Sequence, residues 1–236
     1  MRILGLVNDP LDPPGRLADV AREHGHELIL VDLWDGAAIP DRNAFDAVVA
    51  LGGAMGAYET EKYPYLVDEK EFLASVVHEG VPTLGICLGS QMLADALGGK
   101  AYLADRPEVS FERLILLVDD DPVVTALGSG RVALFHQDTW TLPPGARLMS
   151  ANEYNHVFRF GSALGVQPHP ELTIDDLNLW VAQPVTTEFM DRAGADLELV
   201  ATITAAESEM AAVASRFFSA WFVEAEARIA AMTSTA

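Results

Sequence analysis

The 236-residue chain has little cysteine and little positive charge, and its apolar runs are short. Its single cysteine, Cys87, excludes an intrachain disulfide, which removes one argument for secretion and suits a cytoplasmic location. Fifteen basic residues against 35 acidic ones give a formal net charge of −20. A nucleic-acid binder needs a basic surface against phosphate, so binding to DNA or RNA is not expected. Charges or prolines interrupt the longest apolar runs within a few residues, so no membrane span is expected. The apolar part of Met1–Asp9 is too short for a secretory leader and reads as a first strand. Asp119-Asp120-Asp121, the densest acidic point, reads as a solvated turn, because metal ligands must converge from several elements. Gly52-Gly53-Ala54-Met55-Gly56 lacks the Lys-Ser/Thr of a phosphate-binding loop. No metal and no cofactor is expected, and the sequence contains no internal repeat or low-complexity linker.

Half of the residues are hydrophobic, enough for a sizeable core in one large domain. Ile3–Val7, His26–Leu33, Asp46–Leu51 and Pro82–Ile86 read as strands. Helical stretches between them end near Gly25 and at Gly80. Strands alternating with helices predict an α/β fold with a doubly wound, mostly parallel central sheet and helices on both faces. After Gly99 the segments Lys100–Leu103, Phe111–Val118, Arg131–His136, Arg147–Ala151, Tyr154–Phe160 and Leu164–Gln167 read as short strands. They predict antiparallel pairing that feeds back into the main sheet. From Thr173 on the chain reads as helical. The expected division is a domain over residues 1–172 and a helical C-terminal extension over 173–236, packed on that same domain. Met210, Val213, Ala214, Phe217, Phe218, Trp221 and Phe222 form a broad apolar face at helical spacing. That face covers the sheet or, alternatively, forms an oligomer or partner contact.

Gly85-Ile86-Cys87-Leu88-Gly89 lies between a strand and a helix, with the Gly-x-nucleophile-x-Gly spacing of a nucleophile elbow. A strand that turns straight into a helix brings two backbones together, so side chains at the flanking positions would clash. The free N–H groups at the start of the helix favour a thiolate. The alternative for a lone cysteine is a small, inert core residue.

A second cluster, Gln167-Pro168-His169-Pro170-Glu171, follows an apolar run. His169 stands at the carboxyl end of that strand, and Glu171 two residues on points the same way in extended backbone. A carboxylate on one imidazole nitrogen leaves the other free to take a thiol proton. His136, in Phe135-His136-Gln137-Asp138, is the fallback base.

Together these residues resemble the class I, or triad, glutamine amidotransferases, whose signatures are G-[IV]-C-x-G-[HS]-Q and Q-x-H-P-E in this order. Leu51-Gly52-Gly53-Ala54-Met55-Gly56 resembles the family's oxyanion loop, with Ala54 where Pro is usual. Gln137 stands where the family often has Gly. The resemblance implies a flavodoxin-like fold, with Cys87 as nucleophile, His169 as general base and acid, and Glu171 as its orienter. It also implies an oxyanion and substrate site at Gly52, Gly53, Leu88 and Gln91. The long tail resembles the stand-alone, GMP-synthase-glutaminase-like members. The implied activity is hydrolysis of the glutamine side-chain amide through a thioester, with ammonia passed to a separate synthetase, since no acceptor domain is recognised. One alternative is a γ-glutamyl peptidase or hydrolase with the same triad; another is a non-enzymatic binding or regulatory protein.

Overall fold

Four apolar runs build the parallel half of the sheet: β1 (Arg2–Val7), β2 (Glu27–Asp32), β3 (Ala47–Ala50) and β4 (Thr83–Ile86). The computed structural model describes residues 1–234. β3 and β4 are buried along their whole length, as strands covered on both faces must be, whereas β2 lies at the sheet edge and alternates. The crossovers are α1 (Arg16–Glu23), α2 (Tyr65–His78) and α3 (Leu88–Ala96).

The second half continues with β5 (Lys100–Arg113), α4 (Pro122–Leu127), β6 (Arg131–Thr141), β7 (Arg147–Ala151), β8 (Asn155–Phe160) and β9 (Ala163–Val166). Four helices close it: α5 (Ile174–Val181), α6 (Pro184–Ala193), α7 (Leu197–Ala205) and α8 (Glu207–Ser234). The main sheet has the order β2-β1-β3-β4-β9-β8-β7, parallel from β2 through β9 and antiparallel from β9 to β7. Side chains of α1, α4 and α8 pack on one face, and those of α2 and α3 on the other. The doubly wound, mostly parallel architecture read from the sequence is therefore present. Among the described residues no helix is long and apolar enough to cross a membrane.

Three local expectations are corrected. Lys100–Leu103 and Phe111 onward belong to one strand, not two; a register shift between Leu103 and Glu108 carries the ladder past the polar stretch that reads as a break. That strand pairs with β6 in a separate two-stranded ribbon and does not return to the main sheet. Asp121 does not belong to a solvated turn. Its carboxylate accepts from the Val123 and Val124 N–H groups at 3.0 and 3.1 Å, capping α4, and holds Arg159 at 2.8 Å.

The apolar face of α8 is spent inside the chain. Val213, Ala214, Phe217, Phe218, Trp221 and Phe222 are buried against sheet residues such as Ile3, Leu84 and Val166, so this face is not an oligomer surface. Each large side chain so buried contributes about 2 kcal/mol. Met210 turns instead into a smaller cluster with Phe111, Leu177, Trp180 and Ile203, between the ribbon and α5 and α7. The stretch from Asp196 on, read as helical to Ala236, is divided at Ala206, where the backbone leaves the helical region. No Gly or Pro marks that break; Ile203, Ala206 and Met210 all turn toward the small cluster there. Residues 235 and 236 lie outside the described residues.

Candidate active site

Cys87 stands between the end of β4 and the first residue of α3, with φ 49° and ψ −110°. Among the described residues it is the one non-glycine with positive φ, a conformation that costs about 1–3 kcal/mol and persists only where the surroundings impose it. The flanking glycines supply the imposition. A Cβ on Gly85 would overlap the Gly89 carbonyl, and one on Gly89 would overlap the Ala50 carbonyl of β3. The Cys87 N–H donates to the Val166 carbonyl at 2.8 Å, and Ser90 Oγ donates to the Cys87 carbonyl at 2.7 Å. The corner is thus tied to β9 on one side and to the first turn of α3 on the other.

β9 delivers the second half of the site. The His169 N–H donates to the Ala133 carbonyl of β6 at 2.9 Å, which anchors the segment between two sheets. His169 Nδ1 lies 2.7 Å from Glu171 Oε1, both side chains buried, as the two-residue spacing predicts. Burial opposes a charge on His169, but the Cys87 sulfur and the Glu171 carboxylate facing it outweigh that, and its pKa lies well above the ordinary value. Gln167 Nε2 reaches the Cys87 sulfur at 3.6 Å. Sulfur, imidazole and carboxylate therefore meet, as the sequence reading requires. His136, the fallback base, also borders the cavity, but its ring nitrogens face Glu108 and the Asp138 carbonyl instead.

A cavity of about 420 Å³ opens over Cys87 and His169. Gly53 and Gln91 line it, as does Met55. Gln91 Nε2 donates to the Asp138 carbonyl at 3.2 Å. No hydrogen bond of the fold uses the Gly53 or Leu88 N–H among the described residues. The two residues are neighbours, since a Cβ on Gly53 would lie 2.8 Å from Leu88 Cδ2. Gly52 sits against Asp12, whose Oδ1 would be 3.0 Å from an added Cβ. Beneath this loop Asn8 Nδ2 donates to the Leu51 carbonyl at 3.4 Å and to Glu69 Oε1 at 3.2 Å. Glu69 is fully buried, and burial raises its pKa to about 8, so it stands there as a neutral acid at pH 7.

Several cavity residues escape the sequence reading. Asp12 follows β1, and its carboxyl has no hydrogen-bond partner among the described residues. Burial raises it to about 7, with His169 pulling it back and Asp9 and Glu171 pushing it further. The carboxyl end of a parallel strand is a signal that could have found it. Trp180 packs edge-on against His169 at 5.0 Å and donates its Nε1–H to the Leu11 carbonyl at 2.6 Å. Val185 and Phe189 bring α6 to the cavity rim. Nothing in the helical tail's apolar spacing distinguishes these from core residues.

The class-I glutamine amidotransferase family model matches residues 16–179. The glutamine-hydrolyzing GMP synthase of Sulfolobus acidocaldarius has a separate subunit that is 33% identical over 152 residues, 61% of this chain and 77% of that protein. A glutamine-hydrolyzing GMP synthase of Thermus thermophilus is 36% identical over 122 residues, 49% of this chain. The match spans only 23% of that synthase's length. A glutamine amidotransferase from Thermotoga maritima superposes with a TM-score of 0.80 at 28% identity, covering 94% of this chain and 97% of that one. A Methylobacillus flagellatus glutamine amidotransferase gives 0.83 at 19% identity over 94% of both chains, a likeness of fold. With more than half its length matched by the family model and the signature residues gathered at one cavity, this chain belongs to the class-I glutamine amidotransferase family.

Proposed function

We propose that the chain hydrolyses the side-chain amide of glutamine and hands the ammonia to a separate synthetase. The observation that carries this reading is the 2.7 Å contact of Glu171 with a His169 whose other face looks onto Cys87. In this reading the Cys87 thiolate adds to the amide carbon. The oxyanion is met by the Gly53 and Leu88 N–H groups, each worth on the order of 3 kcal/mol if preorganised. Protonated His169 gives its proton to the departing nitrogen, the C–N bond breaks, and ammonia leaves a Cys87 thioester. Water then gives a proton to His169 and attacks the thioester, releasing glutamate and restoring the thiolate and the imidazolium. Glu171 holds the Nδ1 proton throughout and does not itself transfer it. Gln91 and Gly52 shape the substrate pocket. The unmatched length of the Thermus synthase, and the fact that the Sulfolobus relative is one subunit of its synthase, support an acceptor on a separate chain.

A second reading, hydrolysis of a larger γ-glutamyl amide, is favoured by the cavity itself. Its 420 Å³ lies within the range of sites for ligands larger than one amino acid, and Leu103 and Val185 leave an exposed apolar rim beside it. Measured glutamate release decides between the readings. Glutamine turnover that disappears in Cys87→Ala and rises on adding a synthetase partner supports the first. A kcat/KM for γ-glutamyl alkylamides at least tenfold above that for glutamine supports the second. Release unchanged in Cys87→Ala contradicts both.

A further inference from the structure

Beside the cavity, side chains from three strands converge on one point. Glu108 comes from β5, His136 from β6 and His156 from β8. His136 Nε2 lies 2.8 Å and His156 Nε2 2.9 Å from the same Glu108 oxygen, Oε2. One donor atom from each of the three lies within 4.8 Å of the other two. Both imidazoles are buried, and the Glu108 side chain is only 10% exposed.

Hydrogen bonds alone serve this cluster awkwardly. His136 faces an acceptor with each ring nitrogen, because its Nδ1 lies 3.0 Å from the Asp138 carbonyl oxygen. It must therefore carry two protons, and one carboxylate oxygen must accept from two rings. A divalent cation resolves both demands. Neutral His136 keeps its proton on Nδ1 for the Asp138 carbonyl and turns the Nε2 lone pair to the ion. The other Glu108 oxygen is already held by Asn152 Nδ2 at 2.7 Å. An imidazole that donates its second N–H to a carbonyl, and a carboxylate fixed by a neighbouring donor, are the outer partners that metal ligands ordinarily have.

We propose that Glu108, His136 and His156 bind one divalent transition-metal cation of the zinc class. Two imidazoles and a carboxylate are a donor set that such ions take, with a water in the fourth position. Bonds of about 2.0–2.1 Å in tetrahedral geometry set ligand atoms about 3.3 Å apart, so the present contacts open by roughly half an ångström on binding. The ion ties the ribbon to the main sheet, since β5 and β6 belong to one and β8 to the other. It also fixes Asp138, whose carbonyl takes both His136 Nδ1 and Gln91 Nε2. Its role is positional, and Cys87, His169 and Glu171 are not among its ligands. The sequence spacing hides the site, because its ligands are scattered over three strands.

The test uses the full chain stripped with chelator, dialysed and titrated with Zn²⁺ and Co²⁺. The expected result is one ion per chain, a tetrahedral Co²⁺ visible spectrum, and a melting temperature that rises with Zn²⁺. In Glu108→Gln and His156→Gln, affinity falls at least 100-fold and the thermal shift is lost. X-ray absorption on the zinc-loaded wild type, which needs no variant to fold, gives two imidazoles and oxygen in the first shell. Absence of stoichiometric binding overturns the proposal. So does binding unchanged in both variants, a first shell with fewer than two imidazoles, or loss of the ion in His24→Gln rather than in His156→Gln.

Discussion

The two halves of the candidate site are held by different means. Cys87 is fixed by backbone against backbone: Gly85 against Gly89, Gly89 against Ala50, and a left-handed φ at the corner itself. His169 is fixed mostly by side chains, with Glu171 on its ring nitrogen, Trp180 against its face, and a single main-chain bond to Ala133. The backbone-built half has almost no freedom of sequence, so a short glycine pattern announces it. The side-chain-built half draws on residues far apart in the chain, and only its local part, the Gln167–Glu171 run, can be read in advance.

The largest expected effect tests whether the halves act as one unit. His169→Gln should lower turnover about 10⁴-fold or more, and adding Cys87→Ala should cost little beyond the worse single change. Additive losses in the double variant, measured as kcat, would separate the halves. Glu171→Gln keeps the shape but loses the carboxylate that faces Nδ1; the expected fall in kcat is about 10²–10⁴-fold. A fall of less than about threefold would make Glu171 a packing residue.

The same contrast explains how much was legible. The parallel strands, the elbow and the His-Pro-Glu segment announce themselves because continuous apolar runs, glycines at a corner and prolines beside a histidine each have one physical reading. The long β5 strand did not, because its register shift at Leu103 to Glu108 coincides with polar residues and Pro107. The break at Ala206, the capping role of Asp121 and the cavity wall from α5 and α6 depend on which distant side chains arrive there. Local spacing cannot supply that information. The oligomer reading of α8 fails for a related reason, since amphipathic spacing shows that a face must be covered but not by what.

Two smaller effects sharpen the comparison. Gly89→Ala drives a Cβ into the Ala50 carbonyl, whereas Gly165→Ala meets the Phe158 ring, a side chain that can shift. Chemical denaturation should show a loss of about 3 kcal/mol or more for the first and about 1–2 kcal/mol for the second. The reverse order would mean that the corner is less constrained than its glycines imply. Glu69 supports the Leu51–Gly53 loop through Asn8, and its pKa is raised from 4.5 to about 8. A carboxyl with a raised folded pKa stabilises fully below its unfolded pKa and loses that contribution as pH rises through the folded one. Wild-type stability should therefore decline by up to about 1.4 kcal/mol per pH unit between pH 4.5 and 8, and Glu69→Gln should remove that part of the decline. Parallel stability profiles for the two proteins would leave Glu69 ionised in the fold.

The central claim is that Cys87 is a nucleophile activated by His169 within a glutamine-shaped pocket. Incubation with a diazo-ketone analogue of glutamine, followed by peptide mass spectrometry, tests it most directly. The account predicts one adduct per chain, on the peptide containing Cys87, formed much more slowly in His169→Gln and blocked by excess glutamine. Folded wild-type protein that stays unlabelled at Cys87, or labels equally fast without His169, would contradict it.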